Sequence, residues 1–123
     1  MIKLLLSERA KDSLICDANH PLISAGKLLE EIIIYSIAPS LHAPLLDSFA
    51  SLCGKAINLS TEVSTLSGGQ KVILMFLLAL YSPAPNILFV DLPAFLDPGR
   101  REGVLAMIGE FSIRKTILLE SST

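Results

Sequence analysis

Tryptophan is absent, cysteine and histidine occur twice each, and only 18% of the residues are charged. Each scarcity excludes something. Cys16 and Cys53 stand alone, without metal-type spacing, so neither a disulfide framework nor a zinc site is written here, and two free thiols in a reducing compartment are expected. His20 and His42 lie far from both, and no Ser/His/Asp arrangement is readable. The formal net charge is −2, and the adjacent cationic pairs are Arg100-Arg101 and Arg114-Lys115. That is no electrostatic footprint for nucleic acid. The longest apolar run, 72–81, has ten residues, about half of what a bilayer requires. The apolar stretch at the N-terminus is too short for a signal peptide. A cytoplasmic protein, at most peripheral to a membrane, is expected. No Gly-x-x-x-x-Gly-Lys-Ser/Thr stretch occurs, and Gly26-Lys27 is not a remnant of one, because Pro21 and Leu28 occupy the flanking positions.

What is abundant is apolar surface. The 123 residues are 51% hydrophobic, with a mean hydropathy of +0.59. One domain of this size holds a substantial core. Strands are expected at 2–6 and 13–18, separated by a charged turn at 8–12. A helix is expected over 26–37, with Leu28, Leu29, Ile32 and Ile33 on its apolar face, ended by Ala38-Pro39. A second helix covers 44–53, and 58–65 reads as a loop. Residues 68–81 form the longest helix, apolar nearly all round and therefore buried. After the break at 82–85, residues 87–90 form a buried strand ending in Asp91. Asp97-Pro98 caps and starts a helix to about Phe111, with Gly103 a weak point. A last strand follows at 116–119. The alternation gives an α/β chain, one domain over 1–123, with 26–81 read as an inserted helical subdomain.

The segment Leu66-Ser67-Gly68-Gly69-Gln70, the strand ending in Asp91 with Pro93 two residues on, and Leu96-Asp97-Pro98 follow one another in order. Together they resemble the signature motif, Walker B strand and D-loop of ATP-binding-cassette (ABC) ATPases. The match is strongest over 67–97 and extends more loosely from Leu14 to Thr123. The resemblance implies a partial P-loop NTPase-like parallel sheet, in which strands 87–91 and 116–120 are parallel and joined by the helix from Pro98. They would pair directly or across a gap filled by the N-terminal strand or another chain.

The resemblance also implies roles. Ser67, Gly68, Gly69 and Gln70 would present helix N-terminal N–H groups to a phosphate, where the dipole favours an anion; Ser67 is equally a plain helix cap. Asn19 is the nearest stand-in for the family's Q-loop glutamine, in a segment that also reads as an ordinary strand exit. Asp91 takes the Mg²⁺-holding position, and Leu92 then stands where the family has its water-polarising glutamate. Ser67 to Asp91 is 24 positions and Asp91 to Asp97 is six. An ungapped reading therefore puts Asp91 on the glutamate position and Val90 on the metal position. Either way one acid is missing, and hydrolysis is impaired. Asp97 would lie at a D-loop interface, or serve only as a cap. Ser122 takes the place of the switch histidine. The resemblance thus implies a truncated, divergent ABC-type domain. It would lend its signature motif to ATP and Mg²⁺ shared with a complete nucleotide-binding domain. The alternative is a catalytically inactive docking module, with a membrane protein as one possible partner.

The charge-free 72–81 helix and the flank left bare by a missing strand predict a homo-oligomer. Apolar surface near 72–90 or 116–119 would be shared between chains.

Overall fold

Three five-residue strands, β1 (Ser13–Asp17), β2 (Asn86–Val90) and β3 (Thr116–Glu120), form a parallel sheet in the order β1-β2-β3. This computed structural model describes residues 13–22, 24 and 26–121; the expected strand at 2–6 and the turn at 8–12 lie outside them. The register is continuous: Ser13, Asn86 and Thr116 share one row, and Asp17, Val90 and Glu120 share the last. β2 and β3 pair directly, with no intervening strand. The helices are α1 (Leu28–Ile34), α2 (His42–Cys53), α3 (Gly68–Tyr81) and α4 (Pro98–Phe111), the last forming the crossover from β2 to β3. This is the α/β class and partial parallel sheet that the sequence implies.

α3 organises the interior. Ser67 Oγ accepts the Gln70 N–H at 3.2 Å, and Gln70 Oε1 accepts the Ser67 N–H at 2.9 Å. This reciprocal capping box fixes the first turn. From Val72 to Leu80 every residue is buried. Phe76 meets Phe89 of β2 with ring centroids 5.4 Å apart. Tyr81 meets Phe111 of α4 edge-on at 5.3 Å, and its hydroxyl lies 2.9 Å from Ser48 Oγ of α2. The expectation that 72–81 needs a partner chain to cover it is therefore corrected. The chain's own sheet, α2 and α4 surround the helix, so its lack of charge reflects an interior position.

The α1 expectation is also corrected. The helix is two turns long, and Ser36, in the left-handed region at φ 58°, ends it. Its inward face is Leu28, Glu31, Ile32 and Tyr35, whereas Leu29, Ile33 and Ile34 are exposed. Glu31 is fully buried because its carboxylate accepts the Ser24 N–H at 2.6 Å; a buried charge is tolerated when it is hydrogen-bonded. α2 starts at His42, two residues before the expected Pro44, because a 3₁₀ turn at Pro39–Leu41 leads into it. The 58–65 loop carries a 3₁₀ turn, Val63–Thr65.

Side chains alternate across the sheet, so Leu14, Cys16, Ile87, Phe89, Ile117 and Leu119 share the face that meets the helices. On the opposite face Ile15, Leu88 and Leu118 form one apolar row. Lys115 closes the chain topology. Its ammonium donates to the carbonyls of Ser82 and Ala84, the latter at 2.7 Å, tying the start of β3 to the exit of α3. Partial burial lowers its pKa, with Arg114 adding to the effect.

Two outcomes follow. Lys115→Met leaves two carbonyls without their donor and should cost about 1–3 kcal/mol, read as a lowered urea midpoint. Burial pushes the Cys16 thiol up from 9.0 to about 12, with a smaller opposing effect from its hydrogen bond to Tyr35. Burial likewise raises Tyr35 above its usual 10. Both groups are neutral when folded and ionise first in the unfolded chain. Their contribution is whole below about pH 9 and is lost as pH climbs toward 12. The urea midpoint should hold steady from about pH 7 to 8.5 and then fall. An unchanged midpoint at about pH 11 would contradict the assignment.

Candidate functional site

Two clusters of chemistry-bearing residues form where strands and helices end. The first lies at the carboxyl ends of β1 and β2. Asp17, the last residue of β1, accepts the Asn19 backbone N–H at 2.9 Å and the Asn19 amide at 2.8 Å. The same amide Nδ2 donates to Asp91 Oδ2 at 2.9 Å. Asn19 and Asp91, 72 positions apart, are thus joined. Asp91 sits just past β2 in the left-handed region at φ 58°, and its N–H donates to Glu120 O at 2.8 Å, which continues the sheet by one residue. Beside it, Asp91, Pro93, Ala94, Leu119, Glu120 and Ser121 line an open hollow of about 380 Å³. Asp17 and Glu120 were not singled out from the sequence. Their signal was present, since each is the carboxylate that ends an apolar strand.

Leu92 turns the other way. It is 1% exposed and lines an apolar hollow with Leu96, Val104, Leu105, Ile108 and Leu119. Arg101 Nε donates to Pro93 O at 3.1 Å and Leu96 O at 2.9 Å, which staples the intervening 3₁₀ turn Pro93–Phe95 against α4. Val90, the residue that the ungapped reading puts at the metal position, is half-buried and cannot ligate.

The second cluster joins the N-termini of α3 and α4. Asp97 caps α4 by accepting the Arg100 N–H at 3.0 Å, and its other oxygen lies 3.6 Å from Arg100 Nε. The Arg100 guanidinium reaches over the first turn of α3, so that a β-carbon on Gly69 would come within 3.1 Å of Nη1. At Gly68 the space is open. The first-turn N–H groups of Gly68 and Gly69 have no intrahelical acceptor. Asp97 and the 67–70 segment are thereby brought into one neighbourhood, with Arg100 as the link. Arg100 was visible in the sequence only as half of a cationic pair. Ser122 lies outside the described residues. Among the described residues, no group of three His, Cys, Asp or Glu side chains is disposed to hold a metal, and no helix is long and apolar enough to cross a membrane.

No family model matches the sequence, and no curated protein matches it. Solved structures do share the fold. An ABC transporter ATP-binding protein from Pyrococcus furiosus superposes with a TM-score of 0.70 at 15% identity, covering 95% of this chain and 59% of that one. The ATP-binding subunit of an ABC transporter superposes with a TM-score of 0.68 at 18% identity, covering 87% of this chain and 48% of the other. The fold is ABC ATPase-like, and the chain spans about half the length of the solved structures it matches.

Leu92→Glu supplies the acid that the family pattern calls for, but it buries the charge in an apolar hollow. It should cost several kcal/mol and produce no ATP turnover. Chemical denaturation with a phosphate-release assay reads both, and turnover appearing in a stably folded variant would contradict this geometry.

Proposed function

We propose that these residues are the signature-bearing part of an ABC-type nucleotide-binding domain. In this reading Ser67, Gly68, Gly69 and Gln70 are offered to ATP whose phosphates are gripped by a P-loop outside this sequence. The observation that carries the reading is the N-terminus of α3. Open space at Gly68 leaves the first turn approachable, and the Arg100 guanidinium, paired with Asp97, reaches over Gly69 beside a favourable helix dipole. Asp91, positioned by Asn19, is the candidate water-mediated contact for Mg²⁺, and Asp97 the candidate interface residue. ATP and Mg²⁺ are shared cofactors here, and turnover by this chain alone is not expected, because Leu92 cannot accept a proton. The proposed setting is the cytoplasm, peripheral to a membrane, beside a complete nucleotide-binding domain.

A second reading has its own support. Leu29, Ile33 and Ile34 on α1 are 39%, 66% and 46% exposed, an apolar patch suited to docking on a protein partner without nucleotide chemistry.

Calorimetric titration of the chain alone with Mg-ATP should show no binding in the low-micromolar range, because a nest of backbone donors and a lysine are missing. Adding a complete ABC nucleotide-binding domain should give ATP-dependent association that Ser67→Arg abolishes. Low-micromolar binding by the chain alone overturns the first reading. Association that ignores ATP and Ser67→Arg, yet is lost in Ile33→Asp, selects the second.

A further inference from the structure

The adjacent pair Arg100-Arg101 is too little charge to hold nucleic acid, but each guanidinium has its own partner in the fold. Arg100 pairs with Asp97 and reaches over Gly69 of α3. Arg101 turns back along the chain. Its Nε donates to Pro93 O at 3.1 Å and to Leu96 O at 2.9 Å. Those carbonyls belong to the first residue of the 3₁₀ turn Pro93–Phe95 and to the residue that ends it. One donor therefore spans the whole turn.

The turn needs such a strap. It joins the two clusters of the site, with Asp91 before it and Asp97 after it. Leu92 and Leu96 are buried at its two feet, 1% and 5% exposed, while 93–95 stand in solvent. Its own backbone bonds are at the long end of the usual range: Phe95 N–H to Leu92 O at 3.2 Å and Leu96 N–H to Pro93 O at 3.3 Å. An exposed 3₁₀ turn held by such bonds opens readily. Arg101 is itself anchored, because its backbone N–H donates to Asp97 O at 3.0 Å at the start of α4. The strap is thus fixed to a helix, which places a side chain more narrowly than a loop does.

We propose that Arg101 is a positioning residue: through Nε it holds the 93–96 turn in one shape, so that the turn and Asp97 meet a complete nucleotide-binding domain as a preformed surface. A turn that is already ordered loses little freedom on association, and the affinity gains accordingly. What matters is the donor at the Nε position, not the positive charge. The use of the turn rests on the proposed function, in which Asp97 is the interface residue. The strap itself does not.

Three substitutions separate the donor from the charge. In Arg101→Gln the amide nitrogen stands as many bonds from the backbone as Nε does, and it offers two hydrogens to the two carbonyls without any charge. In Arg101→Met a methyl group takes that position. In Arg101→Lys the charge stays but a methylene takes it. Amide hydrogen exchange, followed by NMR on the chain alone, should show Phe95 and Leu96 exchanging about tenfold faster in Arg101→Met and Arg101→Lys than in the wild type. Arg101→Gln should keep the wild-type rate. Amide shifts in α3 and β2 report that each variant is folded. Titrated with a complete ABC nucleotide-binding domain and ATP, Arg101→Met and Arg101→Lys should associate about tenfold more weakly, and Arg101→Gln as the wild type does. Wild-type exchange in Arg101→Met overturns the proposal, and so does an Arg101→Gln chain that exchanges like Arg101→Met. Faster exchange with undiminished association overturns the preformed surface. A wild-type chain that shows no ATP-dependent association overturns the proposed function, and the exchange comparison still decides the strap.

Discussion

A helix with no polar side requires that everything around it be apolar too, and α3 imposes that requirement on the chain. Nine consecutive residues, Val72 to Leu80, are withdrawn from water. The sheet, α2 and α4 are arranged to cover them. Phe49 and Leu45 reach in from α2, Phe89 from β2, and Phe111 closes the C-terminal end. Such burial contributes about 25 cal/mol per Å² of apolar area and is the main source of stability here. The polar features sit at the periphery of this core, where helices and strands terminate and backbone groups point outward. Both candidate clusters are there for that reason.

Much of this was legible from residue order. The α3 boundaries, the β2 run, the Asp97-Pro98 start of α4 and the β3 run all follow from local rules of capping and apolar continuity. Those rules act over a few residues and were not overridden. α1 misled because four isoleucines and leucines fit two helical faces. The face that turns inward carries Glu31, whose carboxylate accepts the Ser24 N–H, and periodicity does not reveal that contact. The bare outer face expected for 72–81 was an error of the same kind. Periodicity shows that a helix is apolar all round but not how many neighbours the chain can bring to it.

The site was legible by type more than by partner. Ser67, Gly68, Gly69, Gln70, Asn19, Asp91 and Asp97 announce themselves by motif. The bond joining Asn19 to Asp91 spans 72 positions, and the reach of Arg100 over Gly69 joins two helices, so neither leaves a local trace. Leu92 shows the difference most clearly. As a letter in a motif it is a missing acid, whereas in the fold it is a core residue with its own packing partners. The loss of the acid and the gain of that hydrophobic contact are one event.

The Lys115 clamp has a mechanical meaning. Its ammonium grips the carbonyls of Ser82 and Ala84, in a linker whose Pro83 and Pro85 have restricted φ angles. The C-terminal end of α3 and the entry to β3 are thereby held together, and the Thr116 N–H adds a bond to Pro85 O at 2.9 Å. The helix and the strand, joined by a bond that spans 33 positions of sequence, thus share one fixed point.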